Sequence, residues 1–124
     1  MLQVMRNFGA ALVLAALTAG GPAAAHHGWQ WAEEKSSELT GVIKKAVLGN
    51  PHGLLTVDVN GESWTVEVGQ PWRNERAGLT DAMLAPGVKL TAHGHRAADP
   101  KDKRLKAVRL VIDGKTYVLY TDRN

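Results

Sequence analysis

Apolar side chains recur at every second position through most of the chain beyond residue 38. In residues 39–48, for example, Leu39, Gly41 and Ile43 fall on one face, and the residues between them fall on the other. A period of two is typical of β-strands that bury one face. The pattern predicts six strands, which cover residues 39–48, 54–59, 63–68, 88–96, 105–112 and 115–120.

Turn residues join some of these strands directly. Asn60-Gly61 separates the second strand from the third, and Asp113-Gly114 separates the fifth from the sixth. Both dipeptides favour the two-residue turn of a β-hairpin, because Asn, Asp and Gly tolerate the positive φ angles that this turn needs. We therefore expect each of these two pairs of strands to be antiparallel neighbours.

Between the third and fourth strands the period of two is lost. Pro71 begins a segment with helical features, and Gly78 interrupts it. Proline is tolerated at the first position of a helix and glycine is common just after its end. We therefore expect a short helical turn that ends at Gly78 and a second, capped turn at residues 80–84, with the helix near 72–84. Trp64, before this segment, and Trp72, within it, are expected to pack in the core or to plug a barrel.

Three meandering strands, a helix and two or three further strands form the order of an OB-type barrel. We therefore expect a mainly β protein, a small OB-like barrel of five or six strands with one short helix between strands 3 and 4. An SH3-like barrel is the alternative, because it is also small and closed. Neither fold specifies a function by itself.

The first 25 residues have the features of a cleavable export signal. Arg6 precedes an apolar run at residues 8–19, and Ala23 and Ala25 stand at the −3 and −1 positions that signal peptidase favours. The apolar run is shorter than the stretch of about 20 residues that crosses a bilayer. We therefore expect a signal peptide at 1–25 and one soluble domain at 26–124, periplasmic or secreted, with no membrane insertion after cleavage.

Composition narrows the classes of partner. The chain has a formal net charge of +3, its basic and acidic residues are interspersed, and it contains no cysteine. This balance favours neither nucleic acid nor an anionic membrane surface as a partner. Without cysteine, neither a disulfide framework nor a lipoprotein anchor is expected. The expected partners are a metal ion, a small ligand or a periplasmic protein.

Five short motifs give the chain a family resemblance. They are His-His-Gly-Trp, Asn-Pro-His-Gly, Gly-Leu-Thr, Gly-His-Arg and Gly-Lys-x-Tyr-x-Leu-Tyr, at residues 26–29, 50–53, 78–80, 94–96 and 114–120. Together they resemble a family of small, uncharacterised, exported bacterial proteins that start with His-His-Gly-Trp after the signal. The resemblance covers essentially the whole mature chain, and it implies no activity.

The histidines are the main candidates for chemistry, and all of them lie beyond the predicted signal. Imidazole suits copper, zinc and nickel, and Cu(II) has the highest intrinsic affinity of the three. His93 and His95 are two residues apart on the predicted fourth strand, so both point to one face. They could share one ion, or they could be ordinary solvent-facing residues. The candidate ligands are His26, His27, His93, His95 and, more easily explained by packing within its own turn, His52.

The site of signal cleavage changes what the first histidines can do. Cleavage after Ala25 would give His26 a free amine, which forms a two-nitrogen chelate with its own imidazole. Cleavage after Ala24 would place His27 third, where it can complete a square-planar site with the amine and two backbone nitrogens. Either product suits Cu(II), so copper is the first metal expected, with His26 as the anchor.

A binding module without a metal is the competing interpretation. Trp29 and Trp31 could stack on a glycan, a peptide or a partner protein, although packing against the barrel explains both more simply. Asn50 and Arg96 are further candidates for a ligand surface, although turn geometry explains Asn50 better. No serine lies in a nucleophile elbow and no cysteine is present, so covalent catalysis lacks a visible nucleophile. We therefore do not expect an enzyme.

Overall fold

The computed structural model describes residues 28–124, so the predicted signal and the candidate ligands His26 and His27 lie outside the described residues. The described chain forms six strands, one α-helix and two short 3-10 segments. The strands are β1 (Ser37–Val47), β2 (Leu54–Val59), β3 (Glu62–Glu67), β4 (Lys89–Arg96), β5 (Arg104–Ile112) and β6 (Lys115–Val118). The helix α1 is Pro71–Arg76, and the 3-10 segments are Asp81–Leu84 and Thr121–Arg123.

Five of the strands close into a mixed barrel. β1 pairs antiparallel with β2 and with β4, β2 pairs with β3, and β4 pairs with β5. A parallel pairing of β3 with β5 completes the closure, and β6 is bonded outside to β5. The order β1-β2-β3-β5-β4, with the helix between β3 and β4, confirms the predicted OB-like barrel over the SH3-like alternative.

Both predicted hairpins are confirmed, and their turns have the expected backbone. Asn60 and Gly61 have φ angles of 53° and 88°, and Asp113 and Gly114 have φ angles of 55° and 77°. Two consecutive positive φ angles define the turn that matches the right-handed twist of the flanking strands. The local sequence therefore sets the register of both hairpins.

The outer hairpin is shorter than the sequence pattern predicts, because β5 contains a bulge. His93 pairs with Arg109 and Gly94 pairs with Ala107, which leaves Val108 without a partner on β4. The carbonyl of Val108 instead accepts hydrogen bonds from the backbone N–H groups of Leu119 and Tyr120, at 2.8 and 3.2 Å. These bonds turn the chain after Val118 and hold the C-terminal segment against the barrel.

The predicted helical segment is divided into two short pieces. α1 ends at Arg76, and Gly78 follows with a φ of +96°, a left-handed conformation that stops the helix. The buried side chain of Asn74 bonds both the N–H and the carbonyl of Gly69, which ties α1 to the end of β3. Within residues 28–124, no helix is long and apolar enough to cross a membrane.

The core fills the barrel with aliphatic side chains from all of its strands. Trp64 is buried there, with 8% of its surface exposed, as expected. The expectation for Trp72 is wrong, because it is 51% exposed on the outer side of α1. The fully buried apolar residues include Ile43, Leu55, Val57, Val66, Leu90, Leu105 and Leu110.

Candidate functional site

A short arm leads from the first described residue to β1 and is attached to the far end of β4. Ala32 forms a bridge with Ala97, and the N–H of Glu33 bonds the carbonyl of Arg96 at 2.8 Å. These backbone bonds fix where the arm crosses the barrel. They place Trp29, three residues before the bridge, against the outer surface of the sheet.

Beneath this arm lies a buried ion pair between β3 and β5. Glu67 and Lys106 are partners in the parallel ladder that closes the barrel. Lys106 Nζ donates a 2.6 Å hydrogen bond to Glu67 Oε1, and the two side chains are only 1% and 9% exposed. Charged side chains are rarely buried to this extent, and removing one partner of such a pair is costly.

Aromatic rings from both ends of the domain cover the ion pair. Lys106 Nζ lies 4.9 Å from the centre of the Trp29 ring and 5.9 Å from that of Tyr120. The two rings meet edge to face at 5.1 Å, and Arg123 Cζ lies 4.0 Å from the Trp29 ring. The negative faces of the rings favour these cations. Burial raises the pKa of the Tyr120 hydroxyl above its ordinary value.

His52 contacts the same carboxylate oxygen of Glu67 as Lys106 does. Its Nδ1 is 3.2 Å from Glu67 Oε1, and its side chain is 24% exposed. Burial lowers the pKa of His52, and the positive charge of Lys106 lowers it further. The negative charge of Glu67 raises the pKa of His52, but burial and Lys106 outweigh this effect, so His52 is a neutral imidazole near neutral pH.

The arm begins at this same place. A Cβ added to Gly28 would lie 3.7 Å from Lys106 Nζ and 3.9 Å from His52 Cε1. His52 follows the end of β1, whereas the start of β1 pairs with β4 at His93 and Gly94. The arm nevertheless begins beside His52.

His93 and His95 lie together on the outer face of β4, as their spacing predicts, and line one cleft. His93 Nδ1 is 3.2 Å from Glu38 Oε2, and His95 Nδ1 forms a 3.1 Å hydrogen bond with the carbonyl of Lys35. The ring of His95 also meets Trp29 edge to face, with the ring centres 5.7 Å apart. Trp29 therefore links the β4 histidines to the buried ion pair.

The three described histidines share one feature. In each, Nδ1 faces an oxygen that can only accept a hydrogen bond, either a carboxylate or a backbone carbonyl. Such an acceptor places a proton on Nδ1, so in a neutral ring the nitrogen with the free lone pair is Nε2. Metal-binding histidines are usually oriented in this way by their other nitrogen.

The described residues do not assemble a complete metal site. Among residues 28–124, no three His, Cys, Asp or Glu side chains are grouped closely enough to hold an ion. His52 with Glu67 forms one pair of such groups, and His93 with Glu38 forms another.

The candidate surface for a ligand other than a metal is occupied by the protein's own cations. Arg104 Cζ lies 3.7 Å from the ring centre of Trp31, and Arg96 Cζ lies 4.8 Å from that of Trp64. Asn50 is exposed in the turn after β1, where it precedes a cis peptide bond to Pro51. These contacts agree with the packing interpretation of the tryptophans.

Sequence reasoning missed Glu67, Lys106 and Tyr120. Glu67 and Lys106 occupy outward positions on strands whose inward positions are apolar, so alternation predicts that both are solvated. The only available signal is that Lys106 lies inside an otherwise apolar run in β5. Trp29 and Tyr120, which cover the ion pair, come from opposite ends of the domain, and no local sequence pattern connects them.

The lowered pKa of His52 makes the stability of the metal-free protein depend on pH. A histidine in the unfolded chain has a pKa of about 6.5. Because the pKa of His52 is lower in the folded protein, the unfolded state binds a proton more readily as the pH falls through this range. The free energy of unfolding should therefore fall as the pH decreases from about 7 towards 5. Urea unfolding in a chelator should show this decrease, and His52→Gln should reduce it. An identical pH dependence in both proteins would contradict the assignment.

These features define a class of protein, a small OB-type barrel whose outer surface carries a buried lysine–glutamate pair under an N-terminal arm. The chain belongs to a family of unknown function (DUF6152), whose model matches residues 13–106. No curated protein matches the chain.

Solved structures resemble the fold at low identity. The ZRD-deleted mutant of TiaS in complex with agmatine is 14% identical, with a TM-score of 0.51 over 68% of this chain and 26% of that chain. The present chain thus spans about a quarter of this deletion mutant. A chain in the crystal structure of the S. pombe Stn1-Ten1 complex is 18% identical, with a TM-score of 0.49 over 62% of this chain and 57% of that chain. These likenesses concern the fold alone.

Proposed function

We propose that this protein is exported to the periplasm or secreted. We propose further that it binds one transition-metal ion, with copper as the first candidate, and does not turn over a substrate. The observation that carries the proposal is the shared orientation of His52, His93 and His95, each with Nδ1 against an oxygen acceptor. This orientation leaves Nε2 as the metal-binding nitrogen on all three rings.

The residues around the predicted cleavage site give further support. The predicted cleavage after Ala25 exposes His26, whose amine and imidazole chelate a metal, and His27 is adjacent. The first described residue, Gly28, lies beside His52. Nitrogen donors without thiolates suit Cu(II), Ni(II) or Zn(II), and Cu(II) binds such sites most tightly.

A binding module for a glycan, peptide or partner protein is less well supported. The tryptophans that would form its surface, Trp29 and Trp31, are already stacked with Arg123 and Arg104. A ligand that used these rings would have to displace those contacts.

Exported protein should have His26 as its first residue by intact-mass measurement, and it should bind about one Cu(II) in a competition titration. Adding Gly-Ser ahead of His26 should weaken binding at least tenfold, or about 1.4 kcal/mol, because it moves the free amine away from the His26 imidazole. A mature start at Ala25 would transfer the site to the third-position His27 chelate. A retained signal, or no stoichiometric copper on the processed protein, would overturn the proposal.

A further inference from the structure

We propose that a cleft on the outer face of the barrel binds a small oxyanion, a phosphate or a carboxylate, through the guanidinium groups of Arg109 and Arg123. The cleft has a volume of about 290 Å³. It is bounded by the start of β1, by β4 and β5, and by the C-terminal 3-10 segment. This inference goes beyond the proposed function and does not depend on metal binding.

The bulge in β5 brings the two arginines to one cleft. Arg109 directly follows Val108, the residue that the bulge leaves without a partner on β4. The carbonyl of Val108 accepts hydrogen bonds from the N–H groups of Leu119 and Tyr120, which return the C-terminal segment to the barrel. Arg123 follows three residues later and therefore lines the same cleft as Arg109.

Neutral groups hold both guanidinium groups in place. Arg109 Nη1 donates a 2.9 Å hydrogen bond to the amide oxygen of Asn124, which uses one of the five N–H donors of Arg109. Arg123 Cζ lies 4.0 Å from the ring centre of Trp29, and an aromatic ring provides no acceptor oxygen. Both arginines are thus positioned by partners that leave their charge uncompensated.

The described part of the cleft has an excess of positive charge. Within residues 28–124, the ion pairs of the structure involve neither Arg109 nor Arg123. Glu38 is the one carboxylate among the described lining residues, and its Oε2 lies 3.2 Å from His93 Nδ1. Two guanidinium groups against one carboxylate leave a net charge that attracts an anion.

The donors and the size of the cleft indicate the class of anion. The planar fork of an arginine matches two oxygens of a carboxylate or a phosphate, and two such forks border this cleft. Ser36 and Ser37 line it as well, and their hydroxyl groups are neutral hydrogen-bond donors. The volume is near the lower end of the range for ligand pockets, which suits an ion of a few atoms.

The test is isothermal titration calorimetry of the metal-free exported protein with inorganic phosphate and, separately, with succinate. A chloride buffer of low ionic strength is used, because salt screens exposed charges. At least one of the two anions should bind with a stoichiometry of about one. Arg109→Gln and Arg123→Gln should each weaken that binding at least tenfold, or about 1.4 kcal/mol. Neither arginine is buried, so both variants should fold, which circular dichroism verifies.

A matched variant separates this cleft from the general charge of the protein. Arg76→Gln removes the same charge from an exposed position at the end of α1, outside the cleft, and should bind the anion as the unmodified protein does. Binding of phosphate alone would identify a phosphate site, and binding of succinate alone would identify a carboxylate site.

Three results would overturn the inference. They are no saturable binding of either anion, undiminished binding by both Arg109→Gln and Arg123→Gln, and an equal loss in Arg76→Gln. None of them bears on the proposed metal site, which is tested with copper. Absence of copper binding would likewise leave the anion site standing.

Discussion

Replacing Glu67 with alanine should lower the free energy of unfolding by about 3–5 kcal/mol, the largest effect expected of any single substitution at the candidate site. The substitution leaves Lys106 without its partner while its side chain remains 1% exposed beneath Trp29 and Tyr120. A buried ammonium group without a partner must either lose its proton or draw water into the site, and both are costly. Urea unfolding, followed by tryptophan fluorescence, measures the change.

Two controls separate loss of the buried pair from loss of a carboxylate in general. Glu62 lies on the same strand and pairs with Lys103 at 3.1 Å, but both side chains are about half exposed, so Glu62→Ala should change stability little. The double variant Glu67→Leu, Lys106→Met removes both charges and should recover most of the lost stability. If Glu67→Ala were no more destabilising than Glu62→Ala, the buried pair would not have the structural role assigned to it.

Gly94→Ala should destabilise the barrel by about 3 kcal/mol, at the upper end of the usual cost of overpacking. A Cβ at this position would fall on the backbone carbonyl oxygen of Lys106, which cannot move unless β4 and β5 separate. The bulge in β5 lies next to Gly94, and there the carbonyl of Val108 accepts hydrogen bonds from the C-terminal segment that covers the ion pair. The substitution should therefore also increase solvent access to Trp29, which fluorescence quenching detects.

Gly114→Ala is the matched control for Gly94. Gly114 has a positive φ of 77° but no neighbouring atom within 4 Å of an added Cβ, so alanine there meets only the conformational cost of about 1 kcal/mol. A larger loss of stability at Gly114 than at Gly94 would contradict the steric explanation for Gly94. Equal losses would indicate that the close approach of β5 to Gly94 relaxes easily.

Local patterns accounted for the strands because the evidence for each strand lies within the strand itself. Alternation placed Leu39, Gly41 and Ile43 on the inner face of β1, and the structure buries all three. The turns at Asn60-Gly61 and Asp113-Gly114 determined two strand pairings in the same way. Trp72 shows the limit of this reasoning, because a six-residue helix has too few apolar positions to indicate which face is buried.

The grouping of the histidines could be predicted only in part. His93 and His95 share a face because both lie on one strand, where a spacing of two is sufficient information. His52 lies in a turn, and its neighbours Glu67 and Lys106 are separated from it in sequence and lie on other elements. Pairings between distant segments depend on how the whole barrel closes, and no local pattern contains that information.

The sequence by itself determined the six strands, the two hairpins, the OB-like order of elements and the strand that His93 and His95 share, because these depend on contacts between near neighbours in the chain. Only the tertiary structure decided that β3 would meet β5 in parallel, that Glu67 and Lys106 would be buried on the outer face, and that His52 would lie beside Gly28. The physical reason is that the arm at Trp29 and the C-terminal residue Tyr120 cover a surface that alternation leaves exposed, and these two ends of the domain meet only after the barrel has closed.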